Sequence, residues 1–299
     1  MKIIYIAGLE HSGSTLTDHL LSGHPGVLGL GEIASFFSPS HMKHYMNQWG
    51  KCTDASLCSC GKDWSECEFW GGVVDLNGLN SDESMTNRYN KLLSYIRKTH
   101  GDETIVVDSS KSIDGLAILI ENAGTLGISP TDILVILTIK DVRSFSASIM
   151  NKHDSKKSLI SVVRSFNYWL GSNKRMLDYI KASNVNFSIN LYEELCADPS
   201  GFINKQLARV GRMTQTGEID IKKNTSHIAM GNKDFVMRNR ERIKYDSRWY
   251  HDDLINFIYL FHRKARAFNK YIYALQRATG AQSMHPAAAP KARTADAQR

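Results

Sequence analysis

The chain has 299 residues, 42% of them hydrophobic and 22% charged, which is long enough to bury a sizeable core and too apolar for a disordered polypeptide. Lys and Arg number 37 against 30 Asp and Glu, and the resulting net charge of +7 favours anionic partners such as nucleotides or acidic glycans. The sequence carries no basic stripe interleaved with aromatics, which argues against nucleic acid. It also has no run near the roughly 18 to 20 apolar residues that an integral membrane segment requires.

The first eight residues, MKIIYIAG, form a short apolar run ending in glycine. They have neither the apolar length nor the small-residue cleavage site of a signal peptide, so they read as a buried strand, and the protein is expected to be cytoplasmic. Further β-rich runs follow at 27–30, 104–107, 133–138 and 187–190, each succeeded by polar or glycine residues and then a helical pattern. Helical periodicity is clearest at about 15–21, 87–98, 115–121, 143–152, 159–180 and 251–277. This alternation predicts an α/β fold with a mostly parallel central sheet and helices on both faces, whose ligands bind in the turns after the strands. One domain over 1–279, with a cysteine-containing insertion around 50–70, is the simplest organisation. The tail at 280–299, rich in Ala and Pro without apolar period, is expected to be disordered.

After the first strand comes Gly8-Leu9-Glu10-His11-Ser12-Gly13-Ser14-Thr15, a glycine-bounded loop leading into a helix. Backbone amides of such a loop and the positive helix N-terminus cradle phosphate oxygens, and Ser12, Ser14 and Thr15 add hydroxyl donors. The spacing matches the nucleoside-triphosphate loop G-x-x-x-x-G-K-[ST], except that Ser14 replaces the lysine. An ATP- and Mg-dependent P-loop kinase or hydrolase would thereby lack its main phosphate cation. The plain alternative is a tight turn with a serine-rich cap.

Together with His24-Pro25 and Gly31-Glu32, this loop resembles the 5′-phosphosulfate-binding turn of the sulfotransferases that use 3′-phosphoadenosine-5′-phosphosulfate (PAPS), especially bacterial members and the tyrosylprotein group. The resemblance implies a P-loop NTPase-like sulfotransferase fold and PAPS as sulfonate donor. It further implies adenosine 3′,5′-bisphosphate as product, no catalytic metal, and a hydroxyl-bearing acceptor that could be carbohydrate, lipid, tyrosine or small molecule. Relatives carry Lys or Arg where His11 stands, and a histidine supplies that charge only if its surroundings keep it protonated.

The run from Leu137 to Ser148 resembles the family's 3′-phosphate motif, in which a basic residue at a strand end and a serine eight positions later hold the phosphate. Lys140 and Ser148 occupy those places. Lys152, four residues past Ser148, shares its helix face. The family usually has arginine at position 140, and Arg143 could supply that fork instead. ATP lacks a 3′-phosphate, so this segment separates the two enzyme classes.

Glu32 follows the second strand at the same rim and aligns with the catalytic glutamate of the tyrosylprotein group, which implies a general base for the acceptor hydroxyl. Capping of the next helix is the plainer alternative. Asp108-Ser109-Ser110-Lys111 closes the third strand. Asp108 there is the best feature of a metal-dependent nucleotidase, whereas resemblance to the "DSSK" turn of bacterial sulfotransferases implies that Lys111 lies near the bridging oxygen of the phosphosulfate. Tyr192, in a segment resembling the family's "YE-x-L…DP", is implied to line the nucleotide site. His227 to Asn232, with Arg238 and Arg240, resembles the loop that closes over the nucleotide, where Gly231 and Asn232 permit close approach and an arginine reaches phosphate.

Cys52, Cys58, Cys60 and Cys67 fall in the pattern C-x5-C-x-C-x6-C. They could hold a structural zinc, pair as disulfides or remain reduced. The segment resembles a "CSCG…C-x-FW" insertion of some bacterial sulfotransferases, which supports the family and assigns no metal. This insertion and residues 154–169 are the candidate walls of the acceptor site.

Overall fold

The structure is a computed structural model that describes residues 1–38, 58–64, 66–77, 83–152, 157–212, 226–231 and 243–282. Five strands, β1 Lys2–Gly8, β2 Val27–Gly29, β3 Ile105–Lys111, β4 Ile133–Ile139 and β5 Asn186–Leu191, make one sheet in the order β2-β3-β1-β4-β5. Every pairing is parallel. Side chains of β1 alternate between two buried clusters, Ile4 and Ile6 on one face and Ile3, Tyr5 and Ala7 on the other. A strand covered on both faces has no solvent side, and this is why the apolar runs are continuous rather than alternating.

Helix α1 (Ser14–Ser22) covers the first face through Leu16, Leu20 and Leu21. The second face carries α2 (Ile33–Phe37), α3 (Trp70–Asn77), α4 (Met85–His100), α5 (Ile113–Glu121), α6 (Val142–Lys152) and α7 (Leu159–Ala182). Short helices α8 (Tyr192–Ala197) and α9 (Pro199–Arg209) follow β5 and return to the first face, with Leu195, Phe202, Ile203 and Leu207 in its cluster. Their periodicity is too brief to stand out, but Asp198 caps α9 by accepting from the Gly201 amide at 2.9 Å, and Pro199 begins it.

The helical pattern expected over 251–277 divides into α10 (Asp253–Phe261) and α11 (Arg263–Gln282). His262 ends the first by donating its amide to the Ile258 carbonyl at 2.8 Å, and its Nδ1 then accepts from the Ala265 amide at 3.2 Å. One residue thus caps both helices. Among the described residues, no helix is long and apolar enough to cross a membrane.

Candidate active site

The carboxyl ends of β1, β3, β4 and β5 meet at one rim of the sheet, and the sequence places its candidate residues there. Between β1 and α1 the chain turns through His11 at φ 61° and Gly13 at φ 91°. A Cβ at Gly13 would lie 2.8 Å from Cδ2 of Tyr192, so only glycine fits beneath that ring. The first intrahelical bond runs from the Thr17 amide to the Gly13 carbonyl at 2.9 Å. The amides ahead of it, at the start of α1, form the positive end that favours an anion. Ser14 is buried at this turn. The Ser12 hydroxyl is turned inward, donating to the Leu9 carbonyl at 2.5 Å and lying 3.0 Å from the Thr138 hydroxyl. It therefore locks the loop to β4.

At the end of β3, Tyr5 pairs with Asp108 but Ala7 pairs with Lys111, so the strand gains a residue in a bulge. Lys111 adopts φ 66°, and with His11 it is one of three non-glycine residues at positive φ among the described residues. Strain of this kind concentrates where a side chain must be re-aimed. The ammonium of Lys111 is re-aimed onto Oε1 of Glu32, forming an ion pair in which each side chain is about one-fifth exposed. Asp108 faces the other way. It accepts from the Tyr89 hydroxyl at 2.7 Å and the Ser110 amide at 2.9 Å, is 1% exposed, and is pushed up to about 6 by burial. A metal-binding carboxylate at the rim, the strongest point of the nucleotidase alternative, is thus turned into the core.

Glu32 lies just beyond the strip Gly29–Gly31, which is paired along a second strip at 226–231. The His227 amide donates to the Gly29 carbonyl, the Ala229 amide to Leu30 and the Glu32 amide to Met230. Gly31, at φ 77°, has no room for a Cβ, which would stand 2.5 Å from the Met230 carbonyl. A Cβ on Gly231 would stand 3.4 Å from the Thr15 hydroxyl and 3.6 Å from Oε1 of Glu32. The phosphate loop and the candidate base therefore face each other across one glycine.

Lys140, just after β4, is 3% exposed and donates to the Ser148 hydroxyl on α6 at 2.9 Å. Burial lowers its pKa, opposed by Asp246. Its ammonium sits 4.6 Å from the centroid of Tyr192, the ring that covers Gly13. The turn at Gly13 and the ammonium of Lys140 therefore both approach one aromatic side chain. Arg143 is engaged elsewhere: Nε and a terminal nitrogen donate to Asp141 at 2.9 and 3.0 Å, and its guanidinium lies over Trp249 and Tyr259. The alternative arginine fork at position 143 is accordingly a packing element in this structure. Asn232, Arg238 and Arg240 lie outside the described residues, as do Cys52, residues 154–156 and the side chain of Lys152.

Three site residues escaped the sequence reading. Oδ2 of Asp246 accepts from Lys140 at 2.8 Å, Ser148 at 2.9 Å and Arg248 at 2.7 Å. Burial alone would raise this carboxyl, but Arg248 and Lys140 hold it well below the usual carboxylate range. Asp18, on the buried side of α1, accepts from the Ser109 hydroxyl at 2.8 Å and the Gly31 amide at 3.1 Å. It thus ties the phosphate loop to both the Glu32 strip and the Lys111 turn. A charged residue between Leu16 and Leu20 on a buried helix was the available signal.

Burial pushes Asp18 up from 3.8 to about 7. A carboxyl raised on folding stabilises the fold fully below its unfolded value and loses that contribution as pH rises through the folded value. Between pH of about 4 and 7 the protein should therefore lose stability, by a few kcal/mol, as the medium becomes more basic. Thermal unfolding followed across this range should show the slope in the native chain and a shallower one in Asp18→Asn. An equal slope in both would refute the assignment.

No protein-family model and no curated protein matches the chain. Solved structures do. The sulfotransferase domain from the Synechococcus PCC 7002 olefin synthase superposes with a TM-score of 0.51 at 16% identity, covering 89% of this chain and 94% of its own. The sulfotransferase domain from the curacin biosynthetic pathway gives a TM-score of 0.53 at 15% identity, covering 86% of this chain and 95% of its own. The protein has the sulfotransferase fold, an α/β architecture with the parallel sheet and helical cover described above.

Proposed function

We propose that the protein is a PAPS-dependent sulfotransferase that moves a sulfonate group onto an acceptor hydroxyl. The observation that carries this reading is the double contact of Tyr192, with Gly13 of the first anion cradle and with Lys140 of the second. A ribose carrying phosphates at both 5′ and 3′ positions presents two anions one sugar apart, and that is the ligand such a pair of cradles suits. ATP has only the first. The two solved neighbours, both sulfotransferase domains, support the same class.

In this reading the amides at the start of α1 and the hydroxyls of Ser14 and Thr15 bind the 5′-phosphosulfate, with His11 beside them, and Lys140 and Ser148 bind the 3′-phosphate. Lys111 supplies the cation that position 14 lacks and steadies the charge that grows on the oxygen bridging phosphorus and sulfur. Before substrate enters, Lys111 neutralises Glu32. Once Lys111 turns to the phosphosulfate, Glu32 is released to accept the acceptor's proton. The acceptor oxygen bonds to sulfur, the bond from sulfur to the bridging oxygen breaks, and adenosine 3′,5′-bisphosphate leaves with that electron pair.

Incubating the purified chain with sulfur-labelled PAPS and a panel of sugars, phenols, tyrosine peptides and lipid headgroups in chelator-treated buffer tests this. Label should pass to at least one hydroxyl class, with adenosine 3′,5′-bisphosphate released in equal amount. Selective binding of ATP and magnesium over PAPS would overturn it.

A further inference from the structure

We propose that Cys58, Cys60, Cys67 and His227 bind one structural zinc ion, which fastens the cysteine segment to the strip that supports Glu32. Their donor atoms all lie within 4.8 Å of one another. A tetrahedral zinc with bonds of about 2.3 Å to sulfur separates neighbouring ligand atoms by about 3.8 Å. The distances here are 3.7 Å between the Cys60 and Cys67 sulfurs, 3.8 Å from Cys58 to Nδ1 of His227, and 3.2 Å from Cys67 to the same nitrogen.

The local chain is shaped for this. The Cys58 amide donates to the Lys62 carbonyl and the Gly61 amide to the Cys58 carbonyl, folding Cys58-Ser59-Cys60 into a turn that brings two sulfurs together. The Trp70 amide points at the Cys67 sulfur at 3.5 Å, the kind of donor that settles a metal-bound thiolate. Phe69 stacks on the His227 ring at 5.4 Å, and the Trp70 indole donates to the His227 carbonyl, fixing the imidazole. Three sulfurs and one imidazole in a tetrahedral set select zinc among the common divalent metals.

A disulfide among these residues would leave a third thiol and the imidazole without purpose. His227 lies 160 residues beyond Cys67, so the set is assembled by tertiary folding and does not appear in the cysteine spacing. Four protein donors leave no open position, so the ion is structural rather than catalytic. Its consequence is mechanical. Ser59 exchanges hydrogen bonds with Ile228 and Ser226, and residues 227–230 in turn bond Gly29, Leu30 and Glu32.

The test uses the full chain purified without chelator and does not involve sulfonate transfer, so it stands apart from the proposed function. Metal analysis should give one zinc per chain, and replacement by cobalt should give the intense visible bands of tetrahedral cobalt with thiolate charge transfer. The variants His227→Ala and Cys60→Ser should bind zinc at least about tenfold more weakly, since loss of a ligand exceeds the tenfold or greater effect of losing an outer-shell partner. Cys52→Ser should retain it. The proposal fails if the native chain lacks stoichiometric zinc, if mass analysis finds a disulfide within the set, if the cobalt spectrum is octahedral, or if Cys52→Ser loses the ion while His227→Ala keeps it.

Discussion

Glu32→Gln should lower the rate of sulfonate transfer by about 10² to 10⁴ while leaving affinity for adenosine 3′,5′-bisphosphate within about twofold. Gln preserves size and hydrogen bonding but cannot take up the proton that the attacking hydroxyl must shed. The backbone around it should hold, because the Glu32 amide and carbonyl belong to the strip at Met230 and to α2, while its side chain makes no cap bond to that helix. Its principal side-chain partner is Lys111, which the substitution leaves in place. A single turnover with labelled PAPS and saturating acceptor separates the chemical step from binding. Lys111→Ala should give the complementary pattern, weakening both donor binding and turnover, since its cation acts on the donor itself. An unchanged rate in Glu32→Gln would move the base elsewhere.

The sheet was legible because its strands are covered on both faces: Ile3 to Ala7 and Ile133 to Ile139 leave no exposed side to dilute the apolar run. The tight turn at Gly13 and the basic strand end at Lys140 were legible because a positive φ favours glycine and because both follow an apolar strand. Asp18 and Asp246 were not, since each acts on a residue distant in the chain, and Arg248 joins the site through Asp246 two positions before it. Asp246 meets Lys140 across 106 positions, and Asp18 meets Ser109 across 91. Arg143 shows the same limit from the other side. Its place in the motif suggested an anion ligand, but Asp141 two residues earlier and the ring of Trp249 engage it. Local spacing reveals what the backbone does at a turn. It does not reveal which carboxylate the fold brings back to that turn.

The contact between Asp246 and Lys140 carries the second large effect. Asp246 presents one carboxylate oxygen to Lys140, Ser148 and Arg248, donors of the kind that a 3′-phosphate oxygen would take. Two anions about 4 Å apart repel by about 1 kcal/mol in water and about 4 kcal/mol at the intermediate dielectric of a protein surface, so a 3′-phosphate bound as proposed would compete with the carboxylate for this place. Lys140→Ala should therefore weaken binding of adenosine 3′,5′-bisphosphate about a hundredfold, in the range for removing a buried charged partner, and leave adenosine 5′-monophosphate little changed. Asp246→Asn should act in the opposite direction and strengthen the bisphosphate about tenfold. It removes the competing charge from the bound state, and it also deprives the free state of an ion pair in which Lys140 is buried. Because Arg248 and Lys140 hold Asp246 ionised well below the usual carboxylate range, mild acid should not reproduce the gain. Calorimetric titration of both nucleotides into both variants reads the difference directly. If Asp246→Asn weakens the bisphosphate as Lys140→Ala does, the carboxylate serves to position the lysine, and the competition does not exist.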